Sequence, residues 1–144
     1  MNIFNKKIVS DKGMTLVEIL AALVIISIVI VSLLSMFVQS ARSTETAKNR
    51  VDSTYISETE MEAVYNISTT TTLANSSTKI TTNLGYSKIT TGCPSGACYA
   101  KKSNNRYVFL NIKASGAAVI KIYRDETKQK QEAQMEMLIT WKQT

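Results

Sequence analysis

The stretch KGMTLVEILAALVII, Lys12–Ile26, decides the fold, because it starts a long apolar run with a single acidic residue near its beginning. From Ile19 to Val38 the chain carries no charge, and only three serines interrupt the apolar residues. A helix of about 20 apolar residues crosses a bilayer core of roughly 30 Å. The sequence therefore predicts one membrane-length helix, followed by a polar part that folds outside the membrane.

Basic residues precede this run and indicate its orientation. Lys6, Lys7 and Lys12 face only Asp11 as an opposing charge, which predicts a cytoplasmic N-terminus and an exported C-terminus. A cleaved secretory signal has an apolar region of about 7 to 15 residues followed by a small-residue cleavage site. The run here is longer and no such site follows it, so we predict a single-pass membrane protein.

Glu18 needs an explanation in such a helix, since a charged side chain costs about 2.5–3.5 kcal/mol at the bilayer centre, and less near its edge. Thr15-Leu-Val-Glu18 fits a capping box, in which a hydroxyl and a carboxylate three residues later satisfy the first amides of a helix. A plain N-terminal anchor with such a cap is one interpretation. It gives no reason for the Lys12-Gly13 junction.

The stretch also resembles the class III signal of type IV pilin-like proteins. In that family a short basic leader ends in Gly, a dedicated peptidase cuts after it, and the new N-terminal residue is N-methylated. The resemblance implies a cleaved leader at residues 1–13, a cut between Gly13 and Met14, and Glu18 as the acidic residue that the family carries. Met14 stands where Phe is commoner. Unlike many pilins, this chain has no Pro or Gly between Met14 and Arg42.

The resemblance implies a structural subunit, a minor pilin or pseudopilin of a type IV pilus-like filament. Residues 14–38 would anchor it in membrane lipid and later pack in the filament core, where Glu18 would neutralise the Met14 amine of a neighbour. The implied partners are other pilin subunits, the prepilin peptidase/methyltransferase and an assembly platform protein. The filament would serve adhesion or motility, type II-like secretion or DNA uptake, and the assembled subunit would lie in an extracellular pilus or at the cell surface.

The helix is expected to continue beyond the apolar run, because no Gly or Pro occurs from Gln39 to Tyr65. We predict one helix from about Met14 to Tyr65, of which residues 39–65 form an amphipathic continuation. Its apolar stripe is predicted to pack on the C-terminal part and consists of Ala47, Val51, Tyr55, Thr59 and Ala63. Three acids spread around the same segment are expected on a solvated face: Glu58, Glu60 and Glu62.

Residues 66–144, which we call the head, show period-2 alternation between turn signals. This pattern predicts an antiparallel meander with one buried face. Three strands are expected at about 106–114, 117–124 and 133–142, with further short strands at Thr78–Thr82 and Tyr86–Thr91. The predicted fold class is α+β and pilin-like, with the long N-terminal helix packed on a small antiparallel sheet of about three to four strands.

Cys93 and Cys98 enclose Pro94 and Gly96, which favour a tight turn. An exported domain favours a disulfide between them. A redox-active pair is the alternative, but it usually has two residues between the cysteines rather than four.

The sequence has no histidine and shows no catalytic, phosphate-binding or metal-ligating pattern, so we predict no enzyme activity, no metal and no cofactor. The head is basic, with 11 Lys/Arg against four acids. Lys101, Lys102 and Arg106 are candidates for contact with an anion or DNA, with Tyr99 and Tyr107 stacking on bases. A DNA-binding competence pilin and a surface protein that never polymerises therefore stay open as alternatives.

Overall fold

The computed structural model describes residues 15–143. Helix α1 (Leu16–Thr70) is followed by a 3-10 turn (Leu73–Asn75) and helix α2 (Ser76–Leu84). Five strands follow within the described residues: β1 (Ser87–Ile89), β2 (Ala97–Ser103), β3 (Arg106–Ile112), β4 (Ala117–Tyr123) and β5 (Gln131–Leu138). The chain divides into two compact units, with the boundary between Ser43 and Thr44.

Helix α1 is uninterrupted because no Gly or Pro occurs within it. It continues past Tyr65, its predicted end, to Thr70. Over this last turn the hydroxyls of Ser68, Thr69 and Thr70 donate to backbone carbonyls three residues earlier. These bonds satisfy side chains that would otherwise compete with the helix for its backbone groups.

The five strands form one antiparallel sheet in the order β1-β2-β3-β4-β5. The predicted α+β class is confirmed, with five strands rather than three to four. Strands β3 and β4 lie where the alternation predicts them, and β1 lies inside the predicted 86–91 segment. Strand β5 begins before its predicted segment of 133–142 and already ends at Leu138. Strand β2, directly after the cysteine loop, was not predicted.

The predicted strand at Thr78–Thr82 is wrong, because these residues belong to α2. The Thr82 hydroxyl donates to the Thr78 carbonyl, and the Thr81 hydroxyl to that of Ser77, so the threonines bond within the helix. Gly85, with φ of 68°, then ends α2 in the left-handed conformation that glycine adopts without strain.

The core lies between α1 and the sheet, but α1 uses a different face from the predicted one. Its buried residues are Ser53, Ile56, Ser57, Glu60, Met61, Val64, Ile67 and Ser68. Val51 and Tyr55, from the predicted apolar stripe, are each 68% exposed. The packing face is interrupted by serines, and small side chains allow the helix to approach the sheet closely. Glu60, expected on a solvated face, is 7% exposed.

The residues after β5 return to α1. The Lys142 amide donates to the Ser68 carbonyl at 3.0 Å. Trp141 is buried, and its indole Nε1 donates to the Gly116 carbonyl at 2.9 Å. Together with Ile139, these contacts attach the end of the chain to the core.

Candidate assembly site and charged clusters

The first turn of α1 contains the two described residues of the predicted assembly site. The Glu18 amide donates to the Thr15 hydroxyl at 3.3 Å and to the Thr15 carbonyl at 3.0 Å. Thr15 therefore satisfies an amide that a helix start leaves free. Within residues 15–143 the Glu18 carboxylate has no hydrogen-bond or ion-pair partner, and the residue is exposed. Gly13 and Met14, the predicted processing junction, lie outside the described residues.

Every side chain from Thr15 to Ser43 is exposed in the single chain, including large apolar ones such as Leu16 at 76% and Phe37 at 71%. Within the described residues α1 has the length and composition to cross a membrane. The hydroxyls of the three serines in the apolar run are hydrogen-bonded within the helix. Ser27, Ser32 and Ser35 each donate to a backbone carbonyl of α1 at 2.7–2.9 Å. Their hydroxyls therefore need no water, as an apolar environment requires.

A first charged cluster joins α1 to β2. Lys101 Nζ lies 2.7 Å from Glu60 Oε1, and the two side chains are 19% and 9% exposed. The Tyr86 hydroxyl donates to Glu60 Oε2 at 2.9 Å, while Lys101 also donates to the Leu84 carbonyl at 3.1 Å. Burial first, and then the adjacent Glu60 carboxylate, raise the pKa of Tyr86 far above its usual value. Each oxygen of the Glu60 carboxylate therefore has a partner, Lys101 for Oε1 and the Tyr86 hydroxyl for Oε2.

A second charged cluster joins α1 to β3 and β5. Arg106 donates to Glu132, whose side chain is 2% exposed, and its other terminal nitrogen donates to the Asn49 side chain at 2.9 Å. The Ser53 hydroxyl also donates to Glu132, at 2.9 Å, and Arg124 lies 3.3 Å from the same carboxylate. This buried carboxylate is thus surrounded by donors, which is the condition for keeping a charge in an interior.

The three basic residues predicted to contact an anion or DNA all have carboxylate partners in the structure. Lys101 pairs with Glu60, Arg106 with Glu132 and Lys102 with Glu126. The hydrogen bond and charge of Glu126 raise the pKa of Lys102. Each pair is close to neutral and attracts a phosphate less than a free cation does. Tyr99 is 0% exposed, so its ring does not stack on a base.

Cys93 and Cys98 form a disulfide, with Cα atoms 5.7 Å apart, as predicted. Asn111 on β3 holds the loop that they close. Its side-chain nitrogen, in a residue only 3% exposed, lies 3.1 Å from Cys98 Sγ and donates to the Ser95 carbonyl. Gly96 lies against β3, where a Cβ atom would stand 2.1 Å from the Ile112 carbonyl oxygen. The loop therefore has a fixed position on the sheet.

The burial of Glu60 and Glu132 was not predicted, although the sequence holds a signal for Glu60. Glu60 stands four residues after Ile56 and four before Val64, so it lies on the same helical face as both.

Within residues 15–143 no group of three His, Cys, Asp or Glu side chains is placed to hold a metal.

Residues 9–34 match the family model of the prokaryotic N-terminal methylation motif. This motif is a type IV pilin-like class III signal, and the long apolar helix that contains its C-terminal part fits it. Comparison with curated proteins gives no significant match, and comparison with solved structures gives none either.

The match covers the N-terminal signal and not the head. Proteins with this motif are structural rather than enzymatic, and the motif implies processing by prepilin peptidase and assembly with other pilins. The signal and α1 together fit a membrane-anchored, exported pilin.

Proposed function

We propose that this chain is a structural subunit, a minor pilin or pseudopilin, of a type IV pilus-like filament. One observation carries the proposal: the methylation motif at residues 9–34 continues into a helix whose apolar side chains are exposed along its whole first part. Such a surface needs lipid or other helices around it. Lipid meets this need before assembly, and neighbouring subunits meet it afterwards.

Processing is the first step of the proposed function. The peptidase cuts between Gly13 and Met14, removes the basic leader and leaves the apolar helix in the mature chain. The new amine at Met14, methylated or not, carries a positive charge at the start of an apolar segment. A charge in such a place is costly unless it is paired.

Glu18 supplies the pairing charge in this proposal. Its carboxylate has no partner within residues 15–143, so it is available to the Met14 amine of a neighbouring subunit. Removing one partner of a buried ion pair costs about 3–5 kcal/mol. A subunit in the wrong register leaves both charges unpaired, and the pair therefore selects the correct register.

Processing is tested by N-terminal sequencing and intact mass of the protein isolated from cells that contain the assembly machinery. We expect a mature chain that starts at methylated Met14. A chain that retains residues 1–13 would contradict the proposal and favour a surface protein that never polymerises.

The role of Glu18 is tested with Glu18→Gln, which keeps a hydrogen-bond acceptor but removes the charge. We expect normal cleavage and at least a tenfold lower yield in sheared filaments, because each 1.4 kcal/mol corresponds to a factor of about ten. Thr15→Ala is the matched control, since it weakens only the helix cap, by about 1 kcal/mol. Wild-type filament yield from Glu18→Gln would show that the charge is not needed.

A further inference from the structure

The exposed stripe on the second part of α1 has no partner in the single chain. Six exposed residues follow one another at alternating spacings of three and four: Lys48, Val51, Tyr55, Glu58, Glu62 and Tyr65. This spacing places them in one line along the helix, and none of them belongs to the buried residues that pack on the sheet. It is also the spacing of a helix–helix seam.

Charge is divided along this stripe. Lys48 lies at one end, and Glu58 and Glu62 lie ten and fourteen residues further, or roughly 15 and 21 Å along the axis. None of the three has an ion-pair partner within residues 15–143. The stripe is therefore basic at its N-terminal end and acidic at its C-terminal end.

An apolar groove opens beside the acidic end. It has a volume of about 320 Å³ and lies between α1 and β5. Met61, Tyr65, Met135 and Met137 line it together with two acids, Glu58 and Glu62. An occupant that suits this groove has an apolar side chain with a positive charge close to it.

We propose that the occupant is the basic end of the same stripe on a second copy of this chain. When a parallel copy is shifted by two heptads, roughly 21 Å, its Lys48 lies level with Glu62 and its Val51 lies level with Tyr65 at the groove. A single shift thus places Lys48 beside Glu62 and Val51 at the apolar groove. The inference rests on the proposed function, since it describes how neighbouring subunits pack.

The shift is required by the charges. Two unshifted parallel copies would place Lys48 beside Lys48 and the acids beside the acids, which repel. Antiparallel packing is excluded for subunits that share one membrane orientation. A parallel, shifted contact uses two different surfaces, so each copy leaves one surface free for the next. Such a contact builds an open helical assembly rather than a closed dimer.

Charge reversal tests the contact in the full chain. We expect Lys48→Glu alone, and Glu58→Lys with Glu62→Lys, each to lower the yield in sheared filaments at least fivefold. The triple variant restores opposite charges between copies and should return to within twofold of wild type. Asp52→Lys is the matched control, because Asp52 is exposed on the same helix but lies off the stripe. Reversals without effect, or a triple variant that is not rescued, would overturn the inference.

A photo-crosslinking residue at position 51 tests the groove directly. Position 51 lies about 15 Å along α1 from Met61, so a crosslink from 51 to Met61 joins two copies. Mass spectrometry of the crosslinked dimer should find Met61, Met135 or Met137. Crosslinks to a different subunit would show that the occupant is not a second copy.

The two proposals fail in distinguishable ways. An uncleaved wild-type chain that is absent from filaments contradicts the proposed function. A processed wild-type chain that is present in filaments, with charge variants that behave like Asp52→Lys, contradicts only the staggered contact.

Discussion

Replacing Glu60 with leucine should destabilise the head, because it leaves the Lys101 charge and the Tyr86 hydroxyl without their common partner. Lys101 would lose its partner at 2.7 Å, and the Tyr86 hydroxyl would lose its acceptor at 2.9 Å. Removal of one partner from a buried pair costs about 3–5 kcal/mol. Lys101 keeps its hydrogen bond to the Leu84 carbonyl and its place over the Tyr86 ring. We therefore expect a loss near the lower limit, about 3 kcal/mol of unfolding free energy.

The assay is urea unfolding of the full chain in a mild detergent, followed by fluorescence. The sequence has one tryptophan, and Trp141 is buried in the core that Glu60 borders, so its emission reports unfolding of this unit. Glu62→Leu is the matched control: it lies on the same turn but is exposed, and it should change the unfolding free energy by about 0.5 kcal/mol or less.

The double variant Glu60→Leu with Lys101→Met separates the charge from the packing. Replacing a whole buried ion pair with apolar residues is often neutral or stabilising. We expect the double variant to lose about 1 kcal/mol at most, which means a coupling energy of at least about 2 kcal/mol, since any loss from Lys101→Met alone adds to it. Additive losses, or a Glu60→Leu variant as stable as Glu62→Leu, would refute the reasoning.

Two further predictions follow from the head. Gly96→Ala should cost at least about 2 kcal/mol, because its Cβ would lie 2.1 Å from the Ile112 carbonyl oxygen. Gly85→Ala should cost about 1 kcal/mol, because its φ is similarly positive but no atom lies within 4 Å; equal losses in urea unfolding would contradict the steric argument. The raised pKa of Tyr86 means that its neutral form stabilises the fold below pH 10, its ordinary pKa, and that this contribution is lost as pH rises above it. The unfolding midpoint of wild type should therefore fall more steeply above pH 10 than that of Tyr86→Phe, and parallel curves would contradict this assignment.

The repetitive features of the fold were predictable from the sequence. An uninterrupted helix and the alternating strands β3, β4 and β5 depend on local periodicity, which a sequence displays directly. Strand β2 was missed because ACYAKKS does not alternate clearly: Tyr99 and Ala100 are both buried, although successive residues of a strand point to opposite faces of the sheet. Its pairing with β3 depends on contacts that local pattern does not contain.

The face of α1 was mistaken for a physical reason. Apolar residues at four-residue steps suggested that Val51 and Tyr55 face the sheet, but the packing face contains Ser53, Ser57 and Glu60. Short hydroxyl side chains pack closely and satisfy themselves on the helix backbone, as Ser57 does with the Thr54 carbonyl. Glu60 is buried because Lys101 and Tyr86 contact it from distant segments of the chain. The residues around Glu60 in the sequence do not indicate these partners.

The order of the strands has a consequence for how the head forms. Each strand pairs with the next one in the sequence, so the sheet can grow hairpin by hairpin, with short loops to close at each step. The attachment of α1 is different, since Glu132 meets Ser53 and the Lys142 amide meets the Ser68 carbonyl only after the last strand has been made. On a chain that is synthesised from its N-terminus, α1 is therefore made first, and its attachment to the sheet, which can begin at Glu60 and Lys101, is completed only with the last strand.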